Sequence, residues 1–347
     1  MAVQDSENPV IAEAWRGPLV ESRHRGALAV VDSAGNPLLL FGNVDQPIYP
    51  RSAIKLLQAV PLVESGVADS LGFGDEELAL ASASHSGTVR HVEIARRMLE
   101  RVGLGEDDLA CGGHWPLSDT AGRALAVAGG KPGRLHDNCS GKHAGMLCLA
   151  CQLGEPPSGY ETYDHPVQAR IRSVIAEFTG IMPTRETTGT DGCSLPNYAI
   201  PLRALALGFA RIASGERISP ARAKAASRLL DACRRQPELV AGKGRFDTEI
   251  LSLFGPHGPY LKGGAEGVHC IAIPHAGIGI AIKADDGGSR GSDLVAALLL
   301  KAFAGPRGEA AEKLAARVER TDLDRRGRPV GVTRPSEALR AAIAARA

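Results

Sequence analysis

Ser52 and Lys55 stand three residues apart in Arg51-Ser52-Ala53-Ile54-Lys55, a spacing that puts two side chains on one face of a helix. An uncharged lysine amine placed there can take the serine's proton and turn the hydroxyl into a nucleophile for an acyl carbon. Pro50 bars helix upstream, and the run Leu56-Leu57-Gln58-Ala59-Val60-Pro61-Leu62-Val63 that follows is apolar enough to be buried. A lysine at the mouth of a buried helix is in the setting that lowers an amine pKa.

A second hydroxyl-rich stretch, Ala81-Ser82-Ala83-Ser84-His85-Ser86-Gly87, offers Ser84 as another active hydroxyl, with Ser86 as its rival and His85 as a carboxylate binder. The plain alternative is a polar turn in which Ser86 or Thr88 caps the next helix. Lys262, in Tyr260-Leu261-Lys262-Gly263-Gly264-Ala265-Glu266-Gly267, sits on a strand edge and can reach a cleft and pair with Ser84, or it is a surface lysine at a glycine turn. Cys139 and Cys193 form a further pair, since two thiolates suit a borderline metal such as zinc. On chemistry alone the third ligand is His143, four residues after Cys139 on an expected helix, because Lys142 must first lose a proton. The competing reading is two buried free thiols packing as small apolar groups. Cys148 and Cys151 lie in an apolar helix and are read as core. His269 and His275 are read as structural, and Arg325-Arg326-Gly327-Arg328 as a solvated loop.

These residues must be held by a chain of 347 residues, long enough for one large domain or two intimately packed ones. Apolar residues make up 44% and charged residues 23%, an ordinary globular balance. Lys plus Arg at 40 nearly cancels Asp plus Glu at 39, which argues against a nucleic-acid partner. No apolar run is long enough to span a membrane, and the polar opening Met1-Ala2-Val3-Gln4-Asp5-Ser6-Glu7-Asn8 lacks an export signal. With seven cysteines, the expectation is reduced thiols in the cytoplasm.

Periodicity predicts a hairpin from Gly26–Val31 and Pro37–Phe41 around the turn 32–36, and a second from Val268–Ile273 and Gly277–Ile282. It predicts helices over 89–102, 164–179, 196–214, 219–235 and 293–304. Strands therefore lie near both ends of the chain and helices between them. The expected fold is α/β, with a mixed, mainly antiparallel sheet built from both chain ends, flanking helices and a helical insertion.

Five stretches, taken in order, resemble the rhizobial-type L-asparaginases, the L-asparaginase II family. They are Arg51–Lys55, Ser84–Gly87, Asp137–Met146, Thr190–Asn197 and Lys262–Gly267. The resemblance implies an architecture like that of serine β-lactamases and glutaminases, a single domain over 1–347 and a homodimer. Sub-domains are expected at 10–85 plus 240–335 (sheet-bearing) and 86–239 (mainly helical). It implies hydrolysis of L-asparagine to L-aspartate and ammonia by two serine–lysine couples, Ser52 with Lys55 and Ser84 with Lys262. It also implies one zinc ion on Cys139, Lys142 and Cys193, with Asp191 near it, so here the family puts Lys142 where chemistry alone suggests His143. Arg51 and His85 are then candidates for the substrate's α-carboxylate and Asp191 for its α-ammonium, and His143 remains a cleft residue. The rival readings are a glutaminase, a β-lactamase-like enzyme (without its Ser-Asp-Asn and Lys-Thr-Gly motifs), and a non-catalytic asparagine- or metal-binding protein.

Overall fold

The computed structural model describes residues 7–346. Residues 1–6, on which the expectation of no export signal chiefly rests, lie outside them. The chain divides into two compact units. The first comprises Met1–Ala53, Ile200–Ser214 and Leu261–Ala347, and the second Ile54–Ala199 and Gly215–Tyr260.

Twelve strands are seen among the described residues: β1 Val10–Arg16, β2 Leu19–Asp32, β3 Pro37–Phe41, β4 Pro47–Ile48, β5 Thr188–Thr190, β6 Pro196–Tyr198, β7 Ile200–Pro201, β8 Tyr260–Gly264, β9 Val268–Ile273, β10 Ile278–Ala284, β11 Arg320–Leu323 and β12 Pro329–Pro335. Seven form the path β11-β12-β1-β2-β10-β9-β8, and β3 joins it on β2. β2 serves two neighbourhoods. Its first half pairs with β1, Arg23 opposite Glu13, while its second half lies between β10 and β3, with Val30 opposite both Ile280 and Leu39. These ladders, and those of β12 with β1 and β11 and of β9 with β10, are antiparallel. The sheet built from both chain ends is as expected.

Both expected hairpins form. Leu28 pairs with Phe41 in the first, and its turn is held by Asp32, whose carboxylate accepts from the N–H groups of Ala34 and Asn36 at 2.9 Å each. In the second, Ile271 pairs with Ile280.

The two faces of the β9–β10 pair differ in side-chain size, and this decides what covers each. Successive residues alternate sides while opposed residues share one. His269 Nε2 lies 2.8 Å from Asp293 on the helix Ser289–Phe303, which places Ile271, Ile280 and Ile282 on that helix's side. Each such side chain, fully buried, contributes about 1.5–3 kcal/mol. The other side carries Gly279, Ala281, Cys270 and Ala272. A Cβ on Gly279 would stand 2.0 Å from Ala206 O and 2.1 Å from Ala210 N, so the helix Leu202–Ser214 touches β10 backbone to backbone.

The second unit is helical. At its centre lies Lys55–Glu64, in which every residue from Lys55 to Val63 is buried, against the helices Ser140–Gln152, Pro166–Thr179 and Pro220–Arg235. A helix apolar on all sides is a core helix. In Val89–Glu100 the buried set is His91, Val92, Ile94, Ala95, Met98 and Leu99, while Arg90 and Arg97 reach outward to Glu76.

Three expectations need correction. No helix starts at Pro196: β6 and β7 occupy 196–201 and helix begins at Leu202, because the residues before Pro196 and Pro201 are pushed out of the α region. Ser52 lies not in the α-helix but in a 3₁₀ turn, Arg51–Ile54, with the α-helix starting at Lys55. The helix expected to close the chain from Asp293 starts at Ser289 and is not the last, because helix Glu309–Val318, β11, β12 and helix Glu337–Ala344 follow it.

Gly279→Val should place a side chain where Ala206 and Ala210 now stand. Overpacking of this kind costs about 1–3 kcal/mol or more. Urea unfolding should report that loss, and an unchanged midpoint would mean that the helix does not rest on β10.

Candidate active site

The turn that carries Ser52 is strained where it begins. Arg51 has φ of 53°, a left-handed conformation rare for a residue with a side chain and found disproportionately at functional sites. β8 closes on this turn from within the same unit. A Cβ on Gly264 would come 2.5 Å from Pro50 O, 3.0 Å from Ala53 N and 3.3 Å from Ser52 N. Only glycine allows that approach, and it brings the backbone beyond Lys262 and Gly263 against the N–H groups of the serine turn. Lys262 is buried and donates to Gly263 O at 2.7 Å. The Arg51 guanidinium lies 3.9 Å from the exposed Glu266 carboxylate.

In the helical unit Lys55 is fully buried (0% exposed). Its amine donates to Ala83 O, to Ser84 Oγ at 3.0 Å and to Cys139 Sγ at 3.1 Å, with Asn138 O at 3.5 Å. Two loops deliver these partners. The one after helix Asp75–Ala81 is fixed by Ser84 N–H donating to Val240 O and Ser86 Oγ to Ala241 O. The other ends at the N-terminus of Ser140–Gln152 and is tied to the first by His85 N–H donating to Asn138 O. Thus the amine beside Ser84 in this unit is Lys55, a contact the sequence reading does not contain.

A second amine–thiol group adjoins the first. Lys142 donates to Cys193 Sγ at 3.2 Å. The Cys139 thiol bonds to Cys193 and, together with the Lys142 ammonium, pulls the Cys193 pKa down to about 5, whereas the same bond and burial push Cys139 up to about 12. The Cys139 Sγ also lies 2.9 Å from Asn138 Oδ1, to which it donates. Cys139, Cys193 and nearby Asp191 in turn raise the Lys142 pKa against burial. Cys193 sits in a tight turn, closed by Asp191 N–H donating to Leu195 O at 2.8 Å, in which Ser194 takes φ of 74°.

Among the described residues no group of three or more His, Cys, Asp or Glu side chains could hold a metal ion. The convergent donors are two sulfurs and one amine. His143 stands apart, fully buried, with Nδ1 2.6 Å from the Tyr160 hydroxyl. No sequence signal marked Tyr160.

His85 is also committed to the protein. Ser140 Oγ donates to Leu135 O and so accepts His85 Nε2–H at 2.9 Å, while His85 Nδ1 accepts Gly87 N–H. Its ring stacks on His91 at 4.8 Å, and Nδ1 of His91 accepts from Thr88. The carboxylate role expected of His85 has no ring nitrogen left to perform it. Arg51 and Asp191 are half-buried.

A family model described as L-asparaginase II matches residues 12–335. No curated protein matches the sequence. Among solved structures the chain resembles Mglu in its tris and glutamate form at 14% identity and a TM-score of 0.44, covering 85% of this chain and 63% of that one. It resembles Mglu in its native form at 15% and 0.45, covering 85% and 68%. It also resembles a β-lactamase from Mycobacterium bovis at 14% and 0.42, covering 84% and 94%. The chain thus spans less than two thirds of the length of the first of these.

Burial holds His85 well below its ordinary value of 6.5 and lowers His91 as well. Both rings stay neutral when folded but gain protons in the unfolded chain below about pH 6.5. Their contribution is complete above that pH and is lost as pH falls. The thermal midpoint should drop between about pH 7 and pH 5, less steeply in His91→Gln, and equal slopes for the two proteins would disprove the assignment.

Proposed function

The chain belongs to the L-asparaginase II family, an amidohydrolase family, and from that premise we propose that it hydrolyses L-asparagine to L-aspartate and ammonia by serine–lysine chemistry. The observation that carries the proposal is the buried Lys55 amine, 3.0 Å from Ser84 Oγ and one turn after Ser52. In this mechanism Ser52 Oγ attacks the side-chain amide carbon and Lys55 takes the hydroxyl proton. Backbone N–H groups at the strained turn support the oxyanion, and ammonia departs with the proton returned by the lysine. Water then cleaves the Ser52 ester and releases aspartate. Ser84 passes protons to and from Lys55, and the family resemblance adds Lys262 to this relay. General-base action of this kind contributes about 10²–10⁴-fold in rate.

Arg51 and Asp191 are the proposed partners of the substrate's α-carboxylate and α-ammonium. Glutamine is the alternative substrate, one methylene longer, and a pocket discriminates a methylene by only about 1–3 kcal/mol. The substrate is a small molecule. Among the described residues no helix is long and apolar enough to cross a membrane. The proposal extends to a homodimer in the cytoplasm, with neither nucleic acid nor membrane as partner.

The donor set fits zinc when Lys142 is counted as the third ligand. Cys193 already leans to the thiolate, and the Lys142 ammonium at 3.2 Å occupies the place where a cation would neutralise the sulfurs. Cys139, Lys142 and Cys193 would hold the ion. It would supply a fixed positive charge that orders the loops, while the chain's own residues conduct the proton transfers.

Ser52→Ala should lower ammonia release from asparagine by roughly 10³-fold or more without changing the fold. Activity near that of the parent would remove Ser52 as nucleophile, and assay of asparagine beside glutamine ranks the two amides. Cys193→Ala should abolish the zinc found by elemental analysis of the purified protein, and undiminished zinc would place the ion elsewhere.

A further inference from the structure

The Tyr160 hydroxyl oxygen accepts the Ala110 N–H at 2.8 Å. Burial raises its pKa, so it keeps its proton, and the neighbour placed to take that proton is His143 Nδ1 at 2.6 Å. An imidazole nitrogen that accepts carries no hydrogen, so in the neutral ring the hydrogen is on Nε2. That N–H is buried and has no hydrogen-bond partner. Buried polar groups are nearly always paired, and an orphan needs an explanation. His143 also cannot be a metal ligand in this arrangement, because one nitrogen's lone pair is engaged by Tyr160 and the other nitrogen bears hydrogen.

The surroundings indicate what the orphan donor awaits. His143 follows Lys142 directly and lies one helical turn beyond Cys139, whose sulfur receives the Lys55 amine at 3.1 Å. A hydrogen-bond donor next to the Lys142 side chain suits an anionic oxygen. Tyr160 is itself held in place, since its carbonyl accepts from Gln168 Nε2 at 2.9 Å and Gln168 Oε1 accepts from Tyr198 at 3.1 Å.

We infer that Tyr160 is a positioning residue that fixes the tautomer of His143, so that Nε2–H is presented to a carboxylate oxygen of the amino-acid substrate. The identity of that acceptor rests on the asparaginase reading, whereas the tautomer does not.

Long-range proton–nitrogen NMR of the full chain should show His143 with hydrogen on Nε2 and none on Nδ1, and the Nε2–H resonance should move when aspartate is added. Tyr160→Phe should populate the Nδ1–H tautomer and raise KM for asparagine about tenfold while changing kcat by less than about threefold, the pattern of a lost binding contact. His143→Gln places an amide donor near the Nε2 position without needing Tyr160, so adding Tyr160→Phe to it should leave KM unchanged. Hydrogen on Nδ1 in the parent protein overturns the inference. So does an Nε2–H indifferent to aspartate, or the same KM loss from Tyr160→Phe in both backgrounds, which is the signature of a merely structural tyrosine. If the parent releases no ammonia from asparagine or glutamine, the proposed function fails, while the NMR spectra and the aspartate titration still decide this inference. Those measurements also stand if Tyr160→Phe does not fold.

Discussion

The Lys55 amine is buried without exposure to solvent, and much of the helical unit is arranged around that fact. An ammonium or amine removed from water is strongly unfavourable unless its protons find acceptors. Here the acceptors come from two separate loops: Ala83 O and Ser84 Oγ from one, Asn138 O and Cys139 Sγ from the other. Those loops are in turn locked by backbone bonds to Val240 and each other, and by the Ser86 hydroxyl donating to Ala241 O. From Cys139 the polar contacts continue through Cys193 to Lys142, so the buried network runs amine, thiol, thiol, amine. Such a network stabilises one arrangement when its members are satisfied and penalises any displacement that leaves one unpaired. The same feature that constrains the fold also places the Lys55 nitrogen against the Ser84 hydroxyl at 3.0 Å.

What could be read from sequence follows the distance over which each signal acts. Ser52 and Lys55 are visible together because three residues of chain connect them. The Lys55–Ser84 and Lys142–Cys193 contacts span 29 and 51 residues, and no local pattern encodes them. The resemblance supplied the residues but joined Ser84 to Lys262. The two hairpins were legible from their apolar runs and turn residues. β11 was not, because Arg320–Leu323 is largely exposed and carries no alternation to read. The false helical start at Pro196 arose from reading apolar content across Pro196 and Pro201, each of which disfavours helix at the residue before it. Tyr160 was invisible for a different reason: a single tyrosine in a glycine-containing loop has no meaning until its hydroxyl is seen against an imidazole.

Backbone strain and close approach mark the same segments as the side chains do. Arg51 and Ser194 are two of four non-glycine residues with positive φ among those described, and each adjoins a proposed functional residue, Ser52 or Cys193. Each such conformation costs of order 1–3 kcal/mol, which surrounding structure must offset. At Arg51 that structure is visible. Gly264 brings the β8 backbone onto the turn from one side, and the 3₁₀ turn then runs directly into a buried helix. The sheet thereby fixes where the serine stands, and the buried helix fixes where the lysine begins.

The buried histidines near the two loops have their ring nitrogens committed to the protein. A general base needs a lone pair within reach of the proton it removes. His85 spends Nδ1 on Gly87 N–H and its Nε2 hydrogen on Ser140. His91 spends Nδ1 on Thr88 and reaches Glu238 O through Nε2. His143 spends Nδ1 on Tyr160, leaving only a donor. Three buried imidazoles near the two loops are thus neutral, oriented and without an available lone pair. For one of these three rings to act as a base, one of these bonds would have to break and the ring to turn inside a packed interior. The Lys55 nitrogen lies within hydrogen-bonding distance of the Ser84 hydroxyl, and to act as a base it would first give up one of the hydrogens it donates to Ala83 O, Ser84 Oγ and Cys139 Sγ.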